Sequence, residues 1–451
     1  MKFTVERGVL GEAVAFVSRA LPSRPVVPLL SGMLIEASAG GLTLSCFDYE
    51  VSARISVDAD VATPGSALVP GRLLAEITRS LPAQPADFAA DAGMVNLTCG
   101  RAEFELVCLP MEDYPALPEV PEPLGAADSG LLAAAVAQVA PAASRDDTLP
   151  MLTAICLDIT GDVMTLAATD RYRLAARELR FAPSEPGRRA LALVPAKIMV
   201  EVARTFRPGV PVALAFGTEG GLRRGSDAGD QPRPAEGIVS FDSGDRRLTA
   251  RLIGGEFIRY RNRFDGDFAC RAELPAGPII DAVRRASLVA ERAGPVRLSF
   301  GPDQVVIEAH AEGRARAAET VGAEFAGDQP VISFNPHYLL DGLTAAAASG
   351  AAAPAAREPG ETSERGQPGE RDEPGERGEP GDLGEPGQRA QPTGPGDPGE
   401  QVAVGAENGR IRLEFNTPAK PALITWTADS DRADHPAFRY LLVPLRVPER
   451  S

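Results

Sequence analysis

Histidine, cysteine and paired carboxylates carry most bond-making chemistry in proteins, and this 451-residue chain has few of them placed to act together. His310, His337 and His435 are its three histidines, far apart and without a spacing that suits a metal ion. The five cysteines, Cys46, Cys99, Cys108, Cys156 and Cys270, show no paired metal-type spacing. An odd, scattered set reads as reduced core residues. Asp146-Asp147 could be read as a pair of catalytic carboxylates, and turn or cap residues before a strand near Met151 are the plainer reading. The chain holds no Walker-type phosphate loop and no G-x-S-x-G elbow. The expectation is therefore no catalytic residue, no metal and no cofactor. That leaves arginine, whose planar guanidinium binds phosphate and carboxylate.

Arginine carries nearly all the positive charge, since Lys2, Lys197 and Lys420 are the only lysines. With abundant alanine, this looks like the codon bias of a GC-rich genome. The formal charge is −16, which argues against a uniformly basic surface but permits a local basic one on an acidic body. No apolar run reaches the about 18 residues that would span a membrane. The start, Met1-Lys2-Phe3-Thr4-Val5-Glu6-Arg7, lacks an apolar signal core, so a cytoplasmic protein is expected. Residues 345–400 stand apart, with almost no large apolar side chain and 5 Arg against 3 Asp and 9 Glu. Such a stretch cannot bury enough surface to offset its chain entropy, so a disordered acidic Gly/Pro-rich insertion is expected there. Glycine falls every third residue from Gly375 to Gly387, a tract too short for a collagen helix.

The elements that must position these arginines recur three times. Amphipathic helices are expected at about 8–20, 129–143 and 278–292. Each is followed by a hairpin: Leu34–Ala37 into Leu42–Ser45, Ile155–Asp158 into Met164–Ala167, and Val296–Phe300 into Val305–Glu308. A second signature, a short strand entering a helix beside proline, appears at Ala67–Leu74, Ala192–Met199 and Ile332–Leu339. Each copy closes in further strands. The reading is three similar α+β domains at 1–120, 127–253 and 256–451, each with two helices and roughly eight strands.

The plan and its words resemble the beta subunit of bacterial DNA polymerase III, the sliding-clamp family. The likeness rests on Met1–Arg7, on Ser23-Arg24-Pro25 with Val27-Pro28-Leu29-Leu30, on Thr169-Asp170-Arg171-Tyr172-Arg173-Leu174-Ala175, and on Tyr440–Val447. It covers nearly the whole chain outside 345–400. The resemblance implies a non-catalytic processivity subunit. Two chains join head to tail into a dimeric ring, helices inside and antiparallel sheets outside. The ring encircles double-stranded DNA without sequence specificity. Its implied partners are the polymerase catalytic subunit, the clamp loader and other proteins carrying a clamp-binding peptide; no membrane is involved. An alternative is a diverged second copy that serves as a DNA-encircling scaffold for repair or other partners.

Three residue sets follow. Arg24, Arg72, Arg79, Lys197, Arg204, Arg207, Arg284 and Arg285 lie on or beside the expected inner helices and would meet phosphates. Solvated arginines on ordinary helices would look the same. By the resemblance, a partner-peptide cleft is walled by Leu152, Thr169, Arg171, Tyr172, Arg173, Leu174, Ile258, Asn262, Leu442, Val443, Pro444, Leu445 and Arg446, with Arg173 and Arg446 orienting polar groups. The bland alternative is that these leucines are core. The dimer edge is expected to join Phe104 and Leu106 to Leu288 and Val289, with Glu103 and Glu105 against Arg314 and Arg316. The sequence departs from the family at Ile258, usually proline, at Asn262 and Arg263, at Pro150-Met151 in place of a tyrosine pair, and in its extra end, Pro448–Ser451.

Overall fold

The computed structural model describes residues 1–91, 93–216, 234–290, 294–311, 313–328, 331–351, 409–417, 419–427 and 437–445. Within them, six α-helices and 27 strands form three runs of nine strands and two helices. The helices are α1 (Arg7–Ser18), α2 (Gly71–Ser80), α3 (Ser129–Val139), α4 (Ala196–Thr205), α5 (Ala276–Ser287) and α6 (Pro336–Ala351). They pack in side-by-side pairs, α1 with α2, α3 with α4 and α5 with α6. Each repeat thus has nine strands where eight were expected. The extra one is short, as at Asp60–Thr63, Ala182–Pro183 and Glu324–Ala326, and pieces of that length leave no period-two signal in sequence.

Six strands make the joints between repeats. They are β1 (Val51–Val57), β2 (Ala102–Val107), β3 (Arg173–Arg180), β4 (Arg246–Arg251), β5 (Ala315–Gly322) and β6 (Phe438–Leu442). These are the fourth and ninth strands of each repeat. β1 pairs antiparallel with β4, Ala53 opposite Leu248, and fuses two sheets into one of nine strands. β3 pairs antiparallel with β6, Ala175 opposite Tyr440, and does the same at the next joint. The remaining ninth strand, β2, ends a five-stranded sheet, and the remaining fourth strand, β5, ends a four-stranded one. The chain therefore carries two paired joints and the two halves of a third.

Buried apolar side chains fill the space between helices and sheets. One core lies in the first repeat around Phe3, Leu10, Val14, Leu44 and Phe88. A second runs continuously through the other two repeats. A smaller cluster on the outer face of the joined sheet holds Phe257, Tyr260 and Phe264 against Cys156, Leu191 and Leu441.

The first residues of the expected insertion, 345–351, are helical instead. α6 continues to Ala351, and Ala345, Ala346 and Ala347 are buried. Alanine is the best helix former and fits against a neighbouring surface without a large side chain, so a search for large apolar residues passes it over. Residues 352–400 of that stretch lie outside the described residues. No described helix is long and apolar enough to cross a membrane.

Candidate functional site

The stretch Thr169–Leu174 turns sharply into β3. Asp170 Oδ1 accepts the N–H groups of Tyr172 and Arg173, both at 3.0 Å, and Thr169 Oγ1 donates to the Arg173 carbonyl at 2.7 Å. Arg171, between them, sits in the left-handed region at φ 79°, a conformation held by the surrounding hydrogen bonds. The turn presents Arg171 and Tyr172 to solvent, while Leu174 enters the sheet. The C-terminal segment runs alongside: the Val443 N–H donates to the Tyr172 carbonyl at 2.9 Å and the Leu445 N–H to the Ser333 carbonyl at 2.8 Å.

Leu152, Thr169, Leu174 and Pro444 are buried at this junction, whereas Tyr172, Ile258 and Val443 are 55%, 40% and 38% exposed. Asn262 is exposed on a short turn. The loop carrying Ile258 and Asn262 is anchored from beneath. Asp158, buried in the sheet, accepts from the Tyr260 hydroxyl at 2.8 Å and from two nitrogens of Arg261 at 3.1 and 2.9 Å. Burial, with the Asp158 carboxylate beside it, raises the Tyr260 pKa, so the hydroxyl stays a donor.

Leu442 and Arg173 have other work, and Arg446 is not among the described residues. Leu442 is fully buried in the core. Arg173 is occupied within the chain. Its guanidinium donates to Asp170 at 3.0 Å, to Asp341 at 2.5 Å, to the Tyr440 hydroxyl at 3.4 Å and to the Pro141 carbonyl. It also lies over the Tyr338 ring, 4.2 Å from the centroid. Burial alone would favour the neutral form, but Tyr440, Asp341 and Asp170 outweigh it and raise the Arg173 pKa. Arg173 thus ties the second repeat to the third. Sequence reasoning missed its partners Tyr338, Asp341 and Tyr440. Tyr338 had a signal, because it stands at the repeated strand-to-helix word.

All eight expected phosphate-binding cations are exposed. Arg24, Arg72, Arg79 and Lys197 form no ion pair among the described residues; Arg72 donates to the Pro22 carbonyl. Arg204 lies 3.7 Å from Glu201, Arg207 bridges Glu12 and Asp245, and Arg284 pairs with Asp281 at 2.7 Å. Arg285 makes a two-nitrogen contact with Glu319 on β5, so it points to the unpaired sheet edge. Exposed pairs like these stabilise by only about 0–1 kcal/mol, and a phosphate could displace them.

At the free edges, Glu103, Glu105 and Val107 project from β2 into solvent, Val107 64% exposed. Leu106 is buried in the first repeat's core. It lies on the inward face of the strand, the face on which Leu248 meets the neighbouring repeat at the first internal joint. Phe104 is half-buried against the same core. Across the molecule, Leu288 is 83% exposed at the end of α5, Val289 is half-buried, and Arg314 and Arg316 are exposed. Arg316 pairs with Glu308 at 2.7 Å. Elsewhere, Asp146 accepts the Thr148 N–H at 3.0 Å, a turn contact. No cluster of three or more metal-type side chains exists among the described residues.

Models of the DNA polymerase III beta subunit match the chain over residues 1–118 for its N-terminal domain, 127–258 for its central domain and 266–351 for its C-terminal domain. The chain belongs to the DNA polymerase III beta subunit family. The beta sliding clamp of Streptomyces coelicolor is 46% identical over 76% of this chain and 88% of its own length. That of Micrococcus luteus is 43% identical over 71% of this chain and 98% of its own. A beta sliding clamp homolog, GriR, of Streptomyces muensis is 39% identical over 76% and 88%. In fold, the chain is similar to the DNA polymerase sliding clamp of Bacillus subtilis, with TM-score 0.76 at 22% identity over 99% of both chains. This family consists of processivity factors rather than catalysts, and its three clamp domains close as a dimeric ring.

Proposed function

We propose that this chain is a DNA sliding clamp that encircles duplex DNA and tethers a replicative polymerase for processive synthesis. The observation that carries the proposal is the pattern of joints. Fourth strand meets ninth strand twice inside the chain, and the last such pair, β5 and β2, lies at free edges. A second copy placed head to tail would pair β2 of each protomer with β5 of the other and satisfy both edges. Two copies of three clamp domains, with boundaries near 1–120, 127–253 and 256–451, then make a closed ring. Glu103 and Glu105 on one edge face Arg314 and Arg316 on the other, while edges of one kind repel each other. Leu288, 83% exposed at the end of α5, supplies apolar area for the same contact, with Val289 beside it and Phe104 and Leu106 on the inward face of β2.

Arg24, Arg72, Arg79 and Lys197 are the cations readiest to meet phosphates, and the attraction is sequence-independent. Tyr172, Ile258 and Val443, over a floor of Leu152, Leu174 and Pro444, form the cleft for a peptide of the polymerase catalytic subunit or clamp loader. The protein works in the cytoplasm and performs no catalysis. The comparisons do not favour a diverged repair scaffold.

The test is extension of a long primed circular template by the matching polymerase and clamp loader. Long products that require this protein, and that shorten with Val443→Arg, support the proposal. Unchanged product length with and without it, although a closed dimer sediments, would refute it.

A further inference from the structure

The two joints inside the chain are built alike, and the difference between them marks a second site. At the joint of the second and third repeats, Asp170 caps the turn into β3, Arg173 is the first residue of β3, and the sixth residue of α6, Asp341, accepts from its guanidinium. At the joint of the first and second repeats, Asp48 caps the turn into β1. Its Oδ1 accepts the N–H groups of Glu50 and Val51 at 3.0 and 2.7 Å. Tyr49 at φ 73° stands where Arg171 has φ 79°. The sixth residue of α4 is Glu201, and its third is Ile198, where α6 has Tyr338. Leu248 stands opposite Ala53 as Tyr440 stands opposite Ala175.

The residue in the place of Arg173 is Val51. Its side chain ends short, and the joint there contains a cavity of about 430 Å³. Asp48, Val51, Ile198, Glu201 and Leu248 all line it, with Phe16 from α1. Glu201 Oε2 is buried and accepts no hydrogen bond among the described residues; its ion pairs are long, Arg19 at 3.9 Å from Oε2 and Arg204 at 3.7 Å from Oε1. Arg19, Arg24 and Lys197 also line the cavity and are solvent-exposed. The carboxylates thus lie within the joint and the cations at its mouth.

We propose that this cavity binds an arginine bearing its own free carboxylate, either the amino acid or a C-terminal arginine of another protein. The guanidinium enters as the Arg173 guanidinium does at the other joint, between apolar walls, and pairs with Glu201 and Asp48. A planar guanidinium donates two parallel bonds to a carboxylate, which an ammonium cannot. The carboxylate of the ligand meets Arg19, Arg24 and Lys197. A buried carboxylate oxygen that accepts no hydrogen bond is costly, so the ligand also stabilises the joint.

The experiment is calorimetric titration of the 451-residue chain with L-arginine, citrulline, arginine amide and a short peptide ending in arginine. Saturable arginine binding is expected. Citrulline, which lacks the charge, and arginine amide, which lacks the carboxylate, should each bind at least about tenfold more weakly. Comparable affinity of the peptide would point to a protein source, and much weaker affinity to the amino acid. Glu201→Gln should lose about tenfold while its melting temperature shows the fold intact. Val51→Arg should abolish binding by supplying the guanidinium in cis. Citrulline binding as tightly as arginine, arginine affinity unaffected by Glu201→Gln, or no arginine binding would each overturn the proposal.

Discussion

At the scale of the residue, Arg173 shows how far a side chain's role depends on what faces it. Its position in Thr169–Ala175 suggested a ligand contact. In the fold, four acceptors and one aromatic face from two repeats enclose it. Removing one partner of such a buried group leaves the others uncompensated, so Arg173→Ala should cost roughly 3–5 kcal/mol in urea unfolding. A loss below about 1 kcal/mol, the size expected of a surface pair, would contradict the pinning role. Val443, by contrast, is 38% exposed. Val443→Arg should weaken peptide binding while leaving stability unchanged within about 0.5 kcal/mol. Which cleft leucines are core was not legible in the sequence. Leu441 and Leu442 follow one another on one strand and both enter apolar clusters, because this part of the sheet is covered on both faces.

At the scale of the element, the recurring helices and hairpins were legible because each has its own hydrophobic period and turn chemistry. The end of α6 was not, since its buried face is alanine. Ser349, near that end, accepts from Gln138 at 2.8 Å and from Arg177 at 3.3 Å. A deletion starting at residue 347 should therefore lower the melting temperature more than one starting at 352, and equal melting temperatures would show that the last turn of α6 contributes nothing. In the same helix, a Cβ at Gly342 would lie 2.6 Å from the Tyr440 ring. Gly342→Ala should then destabilise by about 1–3 kcal/mol, despite alanine's better helix propensity. The first joint has its own charge dependence. Glu12 accepts from Arg246, and that hydrogen bond holds its pKa below the ordinary 4.5. A carboxylate depressed in the folded state stabilises fully above its unfolded pKa and loses that contribution as pH falls through the folded value. Melting temperature should fall more steeply between about pH 5 and about pH 3 in the native chain than in Glu12→Gln. Parallel curves would remove Glu12 from the account.

At the scale of the whole molecule, three repeats set the number of joints and a second copy completes them. The repeat was visible in the order of the motifs. Which strands sit at the edges came from the family resemblance, which put the dimer edge at Glu103–Leu106 and at Arg314 and Arg316, on and beside the two free-edge strands β2 and β5. Long-range pairing itself leaves no local trace in a sequence. In the proposed ring the edge charges set the polarity of the contact. Reversing Glu103 and Glu105 to arginine should weaken the dimer in low salt, and reversing Arg314 and Arg316 to glutamate in the same chain should restore it. Sedimentation equilibrium reads both. Encirclement itself is tested most directly by loading the protein onto a circular duplex with the matching clamp loader and then cutting the circle. A clamp held by topology stays on the closed circle through a high-salt wash and leaves once the DNA is linear. Equal retention on circular and linear DNA, or complete loss from the circle in salt, would contradict the account.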